Sequence, residues 1–153
     1  MKANSEFNRV VFAGFVGGMA EVVWIGLYSV LFHHSISDLG SAITATVFGH
    51  SSHIANAPLL GLGIHLLLSL LLALSFGYLI LPWVKRYTRK KSLTFVLSVL
   101  VLALVWKINF YILLPIWNPE FVMLVPLSVS LTSKLLFGIA MGTVLSRADH
   151  RQA

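Results

Sequence analysis

Residues 57–81 read APLLGLGIHLLLSLLLALSFGYLIL, and this stretch decides the fold. It contains no Asp, Glu, Lys or Arg. A helix needs about 20 mainly apolar residues to cross the roughly 30 Å hydrocarbon core of a bilayer, so this stretch is long enough to cross it once. The sequence therefore predicts a transmembrane helix over residues 57–81.

Three further stretches have the same character, and they lie at residues 10–32, 93–114 and 122–145. None shows the apolar–polar alternation of a membrane β-strand, so helices are predicted. The chain is 58% hydrophobic and 10% charged, whereas a soluble domain carries about 25% charged residues. We expect an all-α fold in which residues 1–153 form one integral membrane domain, arranged as an antiparallel four-helix bundle.

The basic residues predict the orientation of this bundle. Segments 33–56 and 115–121 contain no Lys or Arg, whereas both chain ends and the loop between the second and third spans do. Loops rich in Lys and Arg stay in the cytoplasm, so both termini and the middle loop are predicted to be cytoplasmic. The topology-determining residues of that loop are Lys85, Arg86, Arg89, Lys90 and Lys91.

The net charge of +6 does not by itself indicate a nucleic-acid partner. No nucleic-acid-binding signature accompanies the charge, and the basic residues flank apolar spans. The predicted partner is the lipid bilayer, and no nucleic acid is expected.

An additional, shorter helix is predicted in the first outer segment, over residues 37–49. Its apolar residues recur at spacings of three and four, which is typical of an amphipathic helix lying at the membrane interface. These residues are Ile36, Leu39, Ile43 and Val47. Ser37 and Asp38 supply the predicted start, and Gly49 the predicted stop. Packing over the outer mouth of the bundle is the alternative placement.

Five polar side chains fall inside the predicted spans, where an ionisable group costs at least about 2.5 kcal/mol unless it is paired or hydrated. They are Glu21, His65, Lys107, Asn109 and Lys134. At about 1.5 Å per residue, the four ionisable groups lie roughly 17 to 24 Å from the cytoplasmic ends of their helices. Each helix thus brings one such group to a similar depth. We predict a shared buried network, with Asn109 directed to a second interface.

Small residues accompany these polar groups, mostly at intervals of four. Such residues let helix backbones approach each other, so the polar groups are predicted to face other helices rather than lipid. The stripe on the second span is Gly61, His65, Ser69, Ala73 and Gly77, and that on the fourth is Ser130, Lys134, Gly138 and Gly142. On the first span, Gly14, Gly17 and Gly18 lie on the same side as Glu21.

The charges of this network do not balance, because one glutamate faces two lysines. A lysine that is not paired with Glu21 can lose its proton through desolvation. Alternatively, Lys107 extends its side chain to the outer surface, or an external anion or polar ligand completes the site. A structural ion pair that fixes helix register is the favoured interpretation.

The histidines define an alternative hypothesis. His33 and His34 follow the first span, and His50 and His53 form an H-x-x-H pair. Imidazole binds haem iron and metals, so haem b held between His33 or His34 and His65, or a divalent metal, is the alternative cofactor. H-x-x-H alone is a weak pattern and the chain has no cysteine. The first prediction is therefore that the protein holds no cofactor.

Two short segments resemble a known group of proteins. Gly61-Leu-Gly-Ile-His65, and Ile108-Asn-Phe-Tyr111 followed by Pro115, are similar to segments of small four-span bacterial inner-membrane proteins. The resemblance covers most of the chain. It implies a bacterial inner-membrane location, with His65 and Asn109 in matching positions, and it implies no activity.

No arrangement in the sequence predicts catalysis, since paired carboxylates, a Ser-His-Asp set and a phosphate-binding glycine loop are all missing. The first hypothesis is a non-enzymatic accessory subunit or scaffold, whose partner is another membrane protein or a second copy of itself. The second hypothesis is a small transporter or channel for an anion or protons. The third is a membrane anchor that holds haem b or a metal.

Overall fold

The structure is a computed structural model, and it describes residues 2–32, 35–49, 54–87 and 91–147. Within these ranges every regular element is helical and no strand occurs. Four helices are long and apolar enough to cross a membrane, at Asn4–Phe32, Ala57–Arg86, Ser92–Trp117 and Leu127–Arg147. The predictions of an all-helical chain and of four helices with the length and composition of membrane spans are confirmed.

We number the helices in chain order. α1 covers Lys2–Phe32, and α2 covers Ile36–Phe48. α3 comprises Ala57–Ser75, a π-helical turn at Phe76–Ile80, and Leu81–Tyr87. α4 comprises Lys91–Ile108, a π-helical turn at Asn109–Leu113, and Leu114–Trp117. α5 covers Pro119–Leu124, and α6 covers Leu127–Arg147.

Both π-helical turns end two residues before a proline, Pro82 in α3 and Pro115 in α4. A proline inside a helix has no N–H group, and its ring clashes with the carbonyl of the residue four positions earlier. A wider turn at this point accommodates the ring without ending the helix. For this reason α4 continues to Trp117, beyond the predicted end at residue 114.

The last long helix begins at Leu127 rather than at residue 122. Val125 is extended, with φ −131° and ψ 128°, because a residue that precedes a proline is displaced from the helical region. Pro126 then precedes the first turn of α6, and its carbonyl accepts from the N–H groups of Val129 and Ser130. The predicted range 122–145 is thus divided between α5 and α6.

The long helices pack side by side in the order α3, α1, α6, α4. Contacts along neighbouring helices run in opposite directions: Gly14 of α1 lies against Ala73 of α3, and Gly18 lies against Ser69. The first and last helices of this row, α3 and α4, contact each other only weakly, near the connection between them. The largest side chains of the buried core are Phe76, Leu81, Leu102, Phe137, Met141 and Leu145.

Helix α2 has the predicted stop at Gly49, but Ser35 rather than Ser37 caps its start. The Ser35 hydroxyl accepts a 3.3 Å hydrogen bond from the N–H of Asp38 at its start. Gly49 follows the helix with φ of 80°, a value that glycine adopts without steric cost. The structure therefore places a helix at Ile36–Phe48, within one residue of the predicted range at each end.

Helix α2 is packed against the start of α3 and the end of α4. The Thr44 hydroxyl donates a 2.6 Å hydrogen bond to the carbonyl of Ala57. The Asn118 side-chain amide donates to the carbonyl of Ala42 at 3.2 Å and to the hydroxyl of Thr46 at 2.9 Å. These bonds hold α2 across one end of the bundle.

Candidate functional site

The centre of the molecule contains an ion pair between the two middle helices of the row. Lys134 Nζ of α6 lies 2.7 Å from Oε1 and 2.8 Å from Oε2 of Glu21 on α1. The hydroxyl of Ser133 donates a 3.1 Å hydrogen bond to Oε1 of the same carboxylate. The Glu21 side chain is 2% exposed, so its charge is almost completely shielded by protein. Burial of this kind is tolerated only where partners satisfy the charge, and here both oxygens have them.

A third helix brings His65 to the same carboxylate. Nε2 of His65, on α3, lies 3.5 Å from Oε2 of Glu21, which is too long for a good hydrogen bond. This nitrogen is buried and has no hydrogen-bond partner. The imidazole therefore contacts the ion pair but retains hydrogen-bonding capacity. We call Glu21, His65, Ser133 and Lys134 the polar cluster.

The close approach of α1 to α3 is what lets His65 reach Glu21. A Cβ atom on Gly18 would lie 2.9 Å from Ser69 Oγ, and one on Gly14 would lie 2.7 Å from Ala73 Cβ. The hydroxyl of Ser69 donates back to the carbonyl of His65 at 2.9 Å, so it adds no polar group that needs another partner. The small residues of the predicted stripe thus lie at the helix contacts, beside the polar cluster.

Glycines also allow α4 and α6 to approach each other closely. A Cβ atom on Gly138 would lie 2.8 Å from Val99 Cα, which is a backbone atom and cannot move aside easily. The hydroxyl of Ser98 donates a 2.9 Å hydrogen bond to the carbonyl of Gly138. Nearer the other end, Trp106 Nε1 donates to Ser130 Oγ at 3.0 Å. These contacts fix α6, and with it the position of Lys134.

The structure does not bring Lys107 to the polar cluster. Its side chain is exposed on the surface of α4, and no ion pair or hydrogen bond to it occurs among the described residues. The prediction of a network joining all four ionisable groups is therefore too broad, since only Glu21, His65 and Lys134 meet. Asn109, two residues later, is half-buried on the other side of α4.

Asn109 lines a cavity of about 850 Å³, located where α3 and α4 do not meet. Most of its wall is apolar, and α2 contributes to it from one end of the bundle. The polar residues of the wall include Ser69, Asn109, Ser130 and the polar cluster. A cavity of this size lies within the range of roughly 300 to 1,000 Å³ that is typical of small-molecule sites.

Several predicted site residues lie outside the described residues. They are His33, His34, His50 and His53, together with Arg89 and Lys90 of the middle loop. Lys85 and Arg86 occupy the last turn of α3, and Lys91 is the first residue of α4. The described ranges hold no cluster of three His, Asp or Glu side chains placed to bind a metal. The haem and metal hypotheses stay predictions.

The sequence prediction missed some residues that shape the site. Ser133 was not recognised because serine occurs in membrane helices both at contacts and on free faces. Trp24 and Trp106 each donate a 3.0 Å hydrogen bond to α6, to the carbonyl of Val129 and to Ser130 Oγ respectively. A signal for these was available, since an indole N–H inside a span needs an acceptor.

Comparisons with protein-family models, curated proteins and solved structures found no match to the chain. The resemblance to small four-span bacterial inner-membrane proteins therefore stays a prediction. The chemistry of the site has to be argued from the polar cluster and from the cavity beside it.

Proposed function

We propose that the protein is a non-enzymatic, multi-pass membrane protein that serves as an accessory subunit or scaffold. In this role the polar cluster fixes the register of the helices that it joins. In this proposal the four long helices form an antiparallel bundle in a bacterial inner membrane. Both termini and the middle loop lie in the cytoplasm, and α2 lies at the outer face. The charge asymmetry of the loops and the opposite direction of successive helix contacts support this arrangement.

The observation that carries the proposal is the Glu21–Lys134 pair. The carboxylate is 2% exposed, and the ammonium contacts both of its oxygens. Such a pair fixes the register of α1 against α6, because any sliding of one helix leaves two charges unpaired in an apolar medium. A scaffold needs this kind of fixed internal register, since its partner recognises a constant surface.

A double-mutant cycle tests whether the Glu21–Lys134 pair stabilises the fold. Glu21→Gln leaves the Lys134 ammonium without its counter-ion, and Lys134→Met leaves the carboxylate alone. Removing one partner of a buried pair costs about 3–5 kcal/mol, whereas replacing both costs much less. We expect each single variant to lower the free energy of unfolding in detergent by this amount, and the double variant to recover most of it.

Glu6→Gln is the matched control for this cycle, because Glu6 pairs with Arg9 at 3.5 Å on the exposed part of α1. An exposed pair contributes about 0–1 kcal/mol, so this variant should unfold almost like the unaltered protein. Two results would contradict a structural role for the Glu21–Lys134 pair. One is an equal loss of unfolding free energy in Glu6→Gln and Glu21→Gln. The other is a loss in the double variant equal to the sum of the losses in the single variants.

A second candidate function is favoured by the cavity, which reaches Lys134 and His65 from one side. In this alternative the protein is a transporter or channel for an anion or protons. Flux of chloride or protons into proteoliposomes, lost in both Glu21→Gln and Lys134→Met while the folded protein is retained, would support transport. Unchanged permeability of proteoliposomes with and without the protein would argue for the scaffold.

The proposed orientation is tested separately, and the chain lends itself to this because it has no cysteine. Single cysteines at Ser5 and at Asp38, which is exposed at the start of α2, should be labelled by a membrane-impermeant maleimide from opposite sides. We expect Asp38→Cys to react in intact spheroplasts and Ser5→Cys to react only after lysis. The reverse pattern would overturn the orientation and leave the helix packing untouched.

A further inference from the structure

The cavity has features that a structural role for the Glu21–Lys134 pair does not require. It is bordered by α3 on one side and α4 on the other, the two long helices that barely contact each other. We propose that it binds a membrane amphiphile with a long apolar chain, whose head presents carbonyl or carboxylate oxygens to Lys134 and Asn109. This inference is independent of the scaffold role, since a fixed bundle can exist with the cavity empty or filled.

The walls select an apolar chain. Between the polar cluster and α2, the cavity is lined by aliphatic and aromatic side chains from five helices, α1 to α5. In a bilayer such walls offer a hydrocarbon chain an environment as apolar as lipid, with close packing in addition. The wall residues nearest α2 and on α2 itself are Leu39, Ile43, Leu62, Leu113 and Phe121.

The cavity also has a defined entrance. At one end α2 lies across it, held by the Thr44–Ala57 and Asn118–Thr46 hydrogen bonds. On its inner side α1 and α6 are joined by the Glu21–Lys134 pair. The remaining approach is lateral, between α3 and α4, and in a membrane this approach faces lipid. A ligand that is dissolved in the bilayer has access by this route, whereas a water-soluble one does not.

The chemistry of the head follows from Lys134. Its ammonium carries three hydrogens and no acceptor, and Glu21 can accept two of them. The side chain keeps 20% of its surface exposed and lines the cavity. A third hydrogen is therefore available to an oxygen atom of a ligand. Because the donor is charged, this bond is stronger than one between neutral groups.

A second donor lies beside the same space. The amide of Asn109 lines the cavity, and no hydrogen bond to it is found within the described ranges. It can donate to an acceptor oxygen. His65 contributes to the wall, but its Nε2 is buried against Glu21 and does not face the open space. Two donors beside one apolar cavity suit a head with two or more oxygens, as in a fatty carboxylate or a quinone, and do not suit a bare hydrocarbon.

Two glycines provide a matched pair of variants for a test. Gly26 lines the cavity, whereas Gly63 lies on the exposed face of α3, and a Cβ atom at either position would meet nothing within 4 Å. Gly26→Phe should fill cavity space without disturbing the helix contacts. Gly63→Phe makes the same chemical change on the outer surface.

The experiment uses the full chain in nanodiscs of saturated phosphatidylcholine, with dibromostearate and decylubiquinone as separate probes that quench tryptophan fluorescence. Trp117 borders the cavity and reports on its occupation. We expect saturable quenching by one or both probes, lost in Gly26→Phe and retained in Gly63→Phe. Asn109→Leu should weaken it about fivefold, which corresponds to the loss of one hydrogen bond. The probe that saturates identifies the head as a carboxylate or a quinone.

Dibromooctadecane, which has the chain without the head, is the control for recognition. It should quench in proportion to its concentration and without saturation. Equal saturation by dibromooctadecane would overturn the proposed head recognition, and equal quenching of the two glycine variants would overturn the site. Disulfide dimers of Leu68→Cys in membranes would also overturn it, because Leu68 lines the cavity and the occupant would then be a second copy.

The unfolding temperature of Asn109→Leu and Gly26→Phe keeps this result separate from the scaffold proposal. Both variants leave the Glu21–Lys134 pair intact, so they should unfold at nearly the temperature of the unaltered protein. A loss of binding without a loss of stability therefore tests the cavity proposal alone. The coupling between Glu21 and Lys134 in the double-mutant cycle tests the scaffold proposal alone.

Discussion

Two regions of the molecule differ in packing: the contact between α4 and α6, and the space between α3 and α4. On one side, α4 packs on α6 so closely that Gly138 has no room for a Cβ atom. On the other, α3 packs on α1 but leaves a cavity of about 850 Å³ before α4 is reached. We call the α4–α6 contact the closed side and the α3–α4 cavity the open side.

The difference shows that two helices pack closely where a small residue of one lies against the backbone of the other. The closed side has Gly138 opposite Val99 and Ser98, and its hydrogen bonds run from helix to helix. Large apolar side chains border the open side, and Asn109, which lines it, makes no hydrogen bond within the described part of the chain. Packing therefore satisfies polar groups on the closed side, whereas the open side retains hydrogen-bonding capacity.

The largest effect on this comparison is expected at the closed side, from Gly138→Ala. The new Cβ atom would lie 2.8 Å from Val99 Cα, so α4 and α6 must separate. Overpacking of this kind costs about 1–3 kcal/mol. Thermal unfolding in detergent should show a clear loss of stability. An unchanged unfolding temperature would mean that the closed side is looser than its contacts indicate.

A smaller effect is expected at the end of the open side, from Asn118→Ala. The variant loses the bonds to Ala42 and Thr46 and the acceptor for the N–H of Phe121, 3.2 Å away. Loss of a helix cap costs about 1 kcal/mol. Hydrogen exchange should rise in α2 and α5 and stay constant in α6. A uniform rise along the chain would contradict a local role for Asn118.

The smallest effect, with the opposite sign, is expected within the open side from Gly26→Ala. No atom lies within 4 Å of the new Cβ atom, so no contact is strained. Alanine is favoured over glycine in a helix by up to about 1 kcal/mol. The variant should unfold at the same temperature or slightly higher. A destabilisation like that of Gly138→Ala would show that the cavity is closed under the conditions of measurement.

The sequence was sufficient for the features that follow from the composition of a single helix. Apolar length identifies the four long helices, and intervals of four place Gly61, Ser69 and Ala73 on one face. It also predicted that Glu21 meets a lysine, because a buried carboxylate needs a cation, but it left open whether that lysine is Lys107 or Lys134.

Features that depend on rotation about a helix axis could not be predicted in this way. Depth alone placed Lys107 beside the others, yet depth does not say which face of α4 carries it, and the structure exposes it. The gap between α3 and α4 also escaped prediction, since apolar residues that face a cavity look like those that face lipid. The division at Pro126 was predictable in principle, because Val125 precedes a proline.

The stripe on α3 recurs every four residues, while a turn of α-helix takes 3.6, so each step advances the stripe by about 40° around the axis. Between Gly61 and Ala73, before the π-helical turn, this amounts to roughly 120°, a third of a revolution. The stripe thus faces Gly40 of α2 near one end of the helix and Val10 of α1 near the other. The same series of small side chains therefore packs against α2 near one end of α3 and against α1 further along. No second series is needed for the contact with α2.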